Sequence, residues 1–195
     1  MNPATRRQAA TILGDFAVGQ LPKLSRWSLA DLQRGYPFHR LFFQPEAVLA
    51  ARVERSVVTS MGKSLYPSLG RAIAAGRFKG VHTDHLIEGT LNDAACNMIE
   101  QIVTELRTRR KLRSTPREPD HRAEMGDILS SRGGGPSTRS VTADLFIGDY
   151  TGGPLFVELK SPLPNLDVAA ESKRKMLYFL AMMDRRGIAG AQAYL

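Results

Sequence analysis

Two short segments near the C-terminal end, residues 141–148 and 155–160, constrain the fold more than any other part of this 195-residue chain. Each alternates apolar side chains with polar or charged ones, which predicts two strands. The connecting residues 149–153 are rich in turn formers. Strands paired about this turn place Leu145 opposite Val157, and every alternating aliphatic side chain then falls on one face of the hairpin.

The same register gathers three charged residues on the opposite face of the hairpin: Asp144, Glu158 and Lys160. Two carboxylates facing each other repel unless something neutralises them. Mg²⁺ does so while leaving positions for water and a substrate phosphate. We therefore predict a metal held by Asp144, Glu158 and the backbone carbonyl of Leu159.

Lys160 adds a positive charge beside that metal. It could orient or help deprotonate an attacking water and stabilise charge on a phosphate, which predicts phosphodiester hydrolysis. The alternative is a hairpin face with ordinary solvated charges.

Helical periodicity predicts most of the remaining structure. A firmly helical pattern begins at Pro45, a second spans residues 91–112, and a third spans 166–183 behind the N-cap residue Asn165. Glycine and proline divide the first forty residues into short helical pieces, residues 76–84 form a polar link, and residues 188–195 begin another strand.

These elements predict an α/β chain forming one compact domain. Its parts are a helical N-terminal region (1–113), a basic loop rich in Gly, Pro and Ser (114–140) and a catalytic core (141–195). The core is a mixed central sheet flanked by helices.

The formal net charge of +8 suits a polyanionic partner such as DNA. Lys173, Arg174 and Lys175 lie in the first half of the helix after the second strand, where positive charge opposes the helix dipole. We predict that this basic triplet contacts the DNA backbone.

The spacing of the charged residues resembles a known nuclease signature. Asp144, thirteen intervening residues and Glu158-Leu159-Lys160 match the PD-(D/E)xK pattern, with Ala143 where a proline usually stands. The longer run from Asp144 to Asn165 and then 171–175 is similar to the TdeIII family of type II restriction endonucleases. Residues 36–39 and 53–62 also resemble that family's N-terminal region.

The resemblance implies a restriction-endonuclease-like core that cuts double-stranded DNA with Mg²⁺. It also implies a homodimer acting on a short palindrome of the GGNCC kind, products with 5′-phosphate and 3′-hydroxyl ends, and a cognate DNA methyltransferase as functional partner. Glu54 is a candidate additional acid and metal ligand, although a solvated helix acid explains it better.

Two further hypotheses stay open. Family members continue beyond the position where this chain ends, which favours a core truncated at its C-terminal side, so an inactive DNA-binding remnant is one alternative. A repair or recombination nuclease with the same signature is the other.

Location follows from what the sequence lacks. One cysteine cannot form an internal disulfide, and no apolar run approaches the length of a membrane helix or a secretory signal. We therefore expect a cytoplasmic protein without membrane attachment.

Overall fold

The computed structural model describes residues 1–24, 26, 28–107, 117–160 and 164–195. It divides into two compact units, Met1–Gly76 and Arg77–Leu195, each described by itself below. This division differs from the predicted single domain with internal boundaries at 113 and 140. The difference arises because strand pairing joins residues 81–92 to residues 136–147, so the second unit begins well before the predicted core.

The first unit is helical, as predicted. Its helices are α1 (Pro3–Leu24), α2 (Leu29–Gly35), α3 (Pro45–Ser60) and α4 (Tyr66–Ala75), with a 3₁₀ turn at Pro37–Leu41 and a π-helical turn at Met61–Leu65 joining α3 to α4. Pro45 stands at the start of α3, where a missing N–H costs nothing. The expectation of short pieces at the N-terminus was wrong for α1, which runs through Gly14 and Gly19, since isolated glycines cost a helix only about 1 kcal/mol each.

The second unit is built on a four-stranded sheet among the residues described, in the order β1 (Val81–Asn92), β2 (Pro136–Ile147), β3 (Leu155–Val157) and β4 (Gln192–Tyr194). The β1–β2 and β2–β3 pairs are antiparallel and the β3–β4 pair is parallel, so the sheet is mixed. The β2–β3 hairpin has the predicted register, with Leu145 opposite Val157 and Ile147 opposite Leu155. The further strand predicted after residue 188 is β4.

Over its described residues this unit also contains three helices: α5 (Asp93–Arg107), α6 (His121–Ser130) and α7 (Leu166–Arg185). Its hydrophobic core joins residues of the sheet to all three helices, and Phe156, Phe179, Ile99 and Ile128 are fully buried within it. Asn165 caps α7 as predicted, because its side-chain oxygen accepts a hydrogen bond from the Val168 N–H at 2.9 Å.

Two segments of the second unit differ from the predictions. The helix expected from residue 91 begins at Asp93, because the two preceding residues belong to β1, and residues 108–112 lie outside the described part of the chain. The predicted loop of 114–140 contains α6 and the start of β2. Asp120 caps α6 by accepting from the Ala123 N–H, and burial of Ile128 against the core holds this short helix in place.

Over the stretches that the structure describes, no helix has the length and apolar character needed to cross a membrane.

Candidate active site

The β2–β3 hairpin brings together the three charged residues that the sequence singled out. Asp144 lies near the end of β2, and Glu158 and Lys160 follow β3. The Lys160 ammonium lies 2.6 Å from Glu158 Oε1 and 3.7 Å from Asp144 Oδ2. The Leu159 N–H donates a hydrogen bond to the same Asp144 oxygen at 2.6 Å. The backbone between Glu158 and Lys160 therefore fixes Asp144 directly.

Glu158 is the most deeply buried member of this group. Its side chain is 0% exposed, whereas those of Asp144 and Lys160 are 25% and 27% exposed. Its backbone N–H donates to the Tyr194 carbonyl, so pairing with β4 continues past the last residue of β3 and holds the main chain at Glu158. A buried carboxylate needs compensation, and here the compensation is ionic.

Burial and the neighbouring carboxylates shift the pKa of Lys160 in opposite directions. Burial lowers its pKa, but the hydrogen bond and charge of Glu158 and the charge of Asp144 outweigh burial, so the pKa of Lys160 is raised above its usual value. With no metal ion present, these ion pairs therefore favour the protonated form of Lys160.

The donor set suits Mg²⁺ better than a metal held entirely by protein. Among the described residues, no group of three or more His, Cys, Asp or Glu side chains is arranged around a common metal position. Glu158 Oε2 is nevertheless buried without a hydrogen-bond partner among the described residues, and Lys160 links the other oxygen of this carboxylate to Asp144. An ion that keeps several water ligands and takes one or two carboxylates fits this arrangement. The metal role of the Leu159 carbonyl stays a prediction.

Lys175 also belongs to this site, although the sequence predicted only that it contacts the DNA backbone. Its ammonium lies 2.8 Å from Glu158 Oε1, the same oxygen that Lys160 contacts. A signal for this position exists in the sequence: Lys175 precedes Phe179 by four residues, so both lie on one face of α7. Phe179 is fully buried and its ring packs against Phe146 and Phe156 of the sheet. That face of α7 is directed at the strands.

The other two residues of the basic triplet pair with acids of two different helices. The Lys173 ammonium lies 2.5 Å from Glu124 Oε2 of α6, and Arg174 Nε lies 3.0 Å from Glu100 Oε2 of α5. Together with Lys175, they tie α7 to three separate elements of the unit. Their predicted contact with the DNA backbone stays a prediction.

Two further acids lie outside this cluster, Glu54 and Asp84. Glu54 lies exposed on α3 of the first unit, and its role as an additional metal ligand stays a prediction. Asp84 of β1 lies between Thr83 and His85, which pair with Leu145 and Ala143, and it adopts φ 50°, in the left-handed region that few residues other than glycine adopt. The sequence contains no signal for this local strain.

A mixed sheet flanked by helices is consistent with a restriction-endonuclease-like fold, and two carboxylates and a lysine meet where its β2–β3 hairpin ends. The family is shown by comparison: residues 21–193 match the model of "Type II restriction endonuclease, HinfI". The chain belongs to this family of type II restriction endonucleases and is a site-specific deoxyribonuclease that acts on DNA. The narrower likeness to the TdeIII family is not confirmed.

Curated relatives agree with this family. The chain is 27% identical to the type II restriction enzyme HgiBI of Herpetosiphon aurantiacus over 190 residues, which cover 91% of this chain and 68% of that enzyme. It is 25% identical to the type II restriction enzyme HgiCII of the same organism over 195 residues, covering 93% and 70%. No solved structure matches the chain.

Proposed function

We propose that this enzyme cleaves double-stranded DNA with Mg²⁺ held by Asp144 and Glu158, and that Lys160 positions the attacking water. The observation that carries the proposal is the pair of carboxylates joined by one lysine, with one buried oxygen of Glu158 that has no partner in the part of the chain that the structure describes. That oxygen is costly to bury unless a cation occupies the position beside it.

Each residue of the site has a separate task in this proposal. Asp144 is oriented by the Leu159 N–H, and Glu158 is held in the interior by the sheet and by lysine ammonium groups. When bound, Mg²⁺ supplies Lewis-acid stabilisation of the charge that develops on the phosphate. Lys160 orients the attacking water and stabilises negative charge on the phosphate oxygens.

Several finer features rest on the family resemblance. They are a homodimer, a short palindromic site and a cognate methyltransferase that protects the same site. A cytoplasmic location is proposed separately, from the single cysteine. The TdeIII likeness favours a site of the GGNCC kind. Cleavage of plasmids that carry single palindromes, followed by sequencing of the cut ends, tests the site and the predicted 5′-phosphate and 3′-hydroxyl products together.

The direct test of the active site is plasmid cleavage by the purified protein. We expect cutting with Mg²⁺ and none with EDTA, and Asp144→Ala should reduce the rate by at least about a hundredfold. Asp184→Asn is the matched control, since it removes one carboxylate from an exposed position near the end of α7 and should cut at the wild-type rate. Undiminished cutting by the Asp144 variant would remove this assignment.

A further inference from the structure

We propose that Lys175 is a counter-ion that competes with the divalent cation for Glu158 and gives up that carboxylate when metal and DNA bind. Lys175 is thus a positioning residue that couples metal binding to DNA binding. The inference rests on the proposed function, because it assumes that Glu158 holds the metal.

The geometry places two ammonium groups on one carboxylate oxygen. Lys160 Nζ lies 2.6 Å and Lys175 Nζ 2.8 Å from Glu158 Oε1, while Oε2 of the same carboxylate has no hydrogen-bond partner among the described residues. Both ammonium groups that neutralise the Glu158 side chain, which is 0% exposed, therefore contact the same oxygen. The two lysines come from different elements, Lys160 from the strand end and Lys175 from α7.

The charges of the cluster balance without a metal. Asp144 and Glu158 contribute two negative charges, and Lys160 and Lys175 contribute two positive ones. A divalent cation added beside Glu158 would leave two surplus positive charges in a partly buried site, which is costly at low dielectric. Metal binding is therefore opposed until one ammonium moves away or an anion arrives.

Lys175 is the lysine able to move. Lys160 lies within 4 Å of both carboxylates, whereas the one acid paired with Lys175 in the described structure is Glu158. The Lys175 side chain is 26% exposed, so its ammonium has access to solvent on a long flexible stem. A backbone phosphate of DNA supplies the replacement partner, and its negative charge also offsets the surplus created by the metal.

A competing Lys175 and a Lys175 that only supports Glu158 predict opposite changes in metal affinity when the lysine is removed. If Lys175 only held Glu158 in position, its removal would weaken metal binding. If Lys175 competes with the metal, its removal tightens metal binding in the absence of DNA and slows cleavage in its presence. The direction of the change in metal affinity therefore separates the two roles.

The test titrates the DNA-free full chain with Mn²⁺, an oxygen-preferring stand-in for Mg²⁺ whose free ion is counted by electron paramagnetic resonance. We expect Lys175→Gln to bind Mn²⁺ about three- to tenfold more tightly than wild type, and Lys175→Arg, which keeps the charge, to bind like wild type. Arg185→Gln is the matched control, since it removes one positive charge about 15 Å further along α7 and should change the affinity by less than about twofold.

Each outcome bears on one claim. Unchanged or weaker Mn²⁺ binding by Lys175→Gln, while Asp144→Ala abolishes binding, would overturn the inference and leave the proposed function standing. If neither wild type nor Lys175→Gln binds Mn²⁺, or if both bind it equally well after Asp144→Ala, the proposed function itself would be overturned. A Lys175→Gln protein that no longer folds would also overturn the inference, because Lys175 would then be structurally required by Glu158.

Discussion

The buried ion pair between Glu124 and Lys173 offers a test of what the basic triplet of α7 does. Glu124 is 0% exposed, and its Oε1 has no hydrogen-bond partner among the described residues. Its compensation is the Lys173 ammonium, 2.5 Å from Oε2. Lys173→Met keeps the apolar length of the side chain and removes only the charge, which leaves a buried carboxylate alone.

The expected loss of stability is large for a single substitution. Removing one partner of a buried ion pair costs about 3–5 kcal/mol, because the remaining charge stays in the interior without compensation. The Lys173 side chain is 24% exposed, so water can partly replace the ammonium and the lower end of that range applies. A loss of about 3 kcal/mol corresponds to a fall in melting temperature of about 6–12 °C for a chain of this size.

Urea denaturation followed by circular dichroism measures this loss. The double variant Glu124→Leu with Lys173→Met should regain most of it, since an apolar pair of similar volume can replace a buried ion pair without net cost. A loss below about 1 kcal/mol for Lys173→Met would refute the argument. If such a variant also bound DNA more weakly than wild type, Lys173 would be the phosphate contact that the sequence predicted.

Further predictions concern a tight turn and a histidine pair. Gly190 and Gly187 have φ of 73° and 71°, but a Cβ at Gly190 would lie 1.6 Å from the Gly152 carbonyl oxygen, whereas nothing lies within 4 Å of one at Gly187. Gly190→Ala should therefore lower the melting temperature much more than Gly187→Ala, which costs about 1 kcal/mol of backbone strain. Equal falls in melting temperature would contradict the close approach of Gly190 to the Gly152 carbonyl oxygen. The pKa of His85 is lowered from 6.5, first by burial and then by the charge of His82, whose ring centroid lies 5.0 Å away. The neutral His85 therefore contributes to stability above about pH 6.5, and this contribution is lost as the pH falls. NMR titration should show the His85 pKa rising toward 6.5 in His82→Gln, and an unchanged value would exclude the charge of His82 as a cause.

The parts of the fold that the sequence predicted depend on neighbouring residues. The register of the β2–β3 hairpin follows from alternation on either side of a short turn, and the start of α7 follows from the N-cap Asn165. The strand β1 was missed because polar residues such as Thr83 and His85 occupy inward positions of its alternation, and only pairing with β2 makes it a strand. The helix α6 was missed because its stability comes from burial of Ile128 rather than from a long periodic pattern.

The candidate site divides in the same way. By itself, the sequence determined that Asp144, Glu158 and Lys160 share one face, because side chains alternate along a strand and a hairpin aligns residues close in the chain. Only the tertiary structure decided which acids the basic triplet of α7 would meet. Those acids, at positions 100, 124 and 158, come from two other helices and a strand end, and no local periodicity relates them to α7. The packing of α5, α6 and the sheet against α7 places each of these acids beside a cation of the triplet. Such pairing is needed because a buried carboxylate without a neighbouring cation is strongly destabilising.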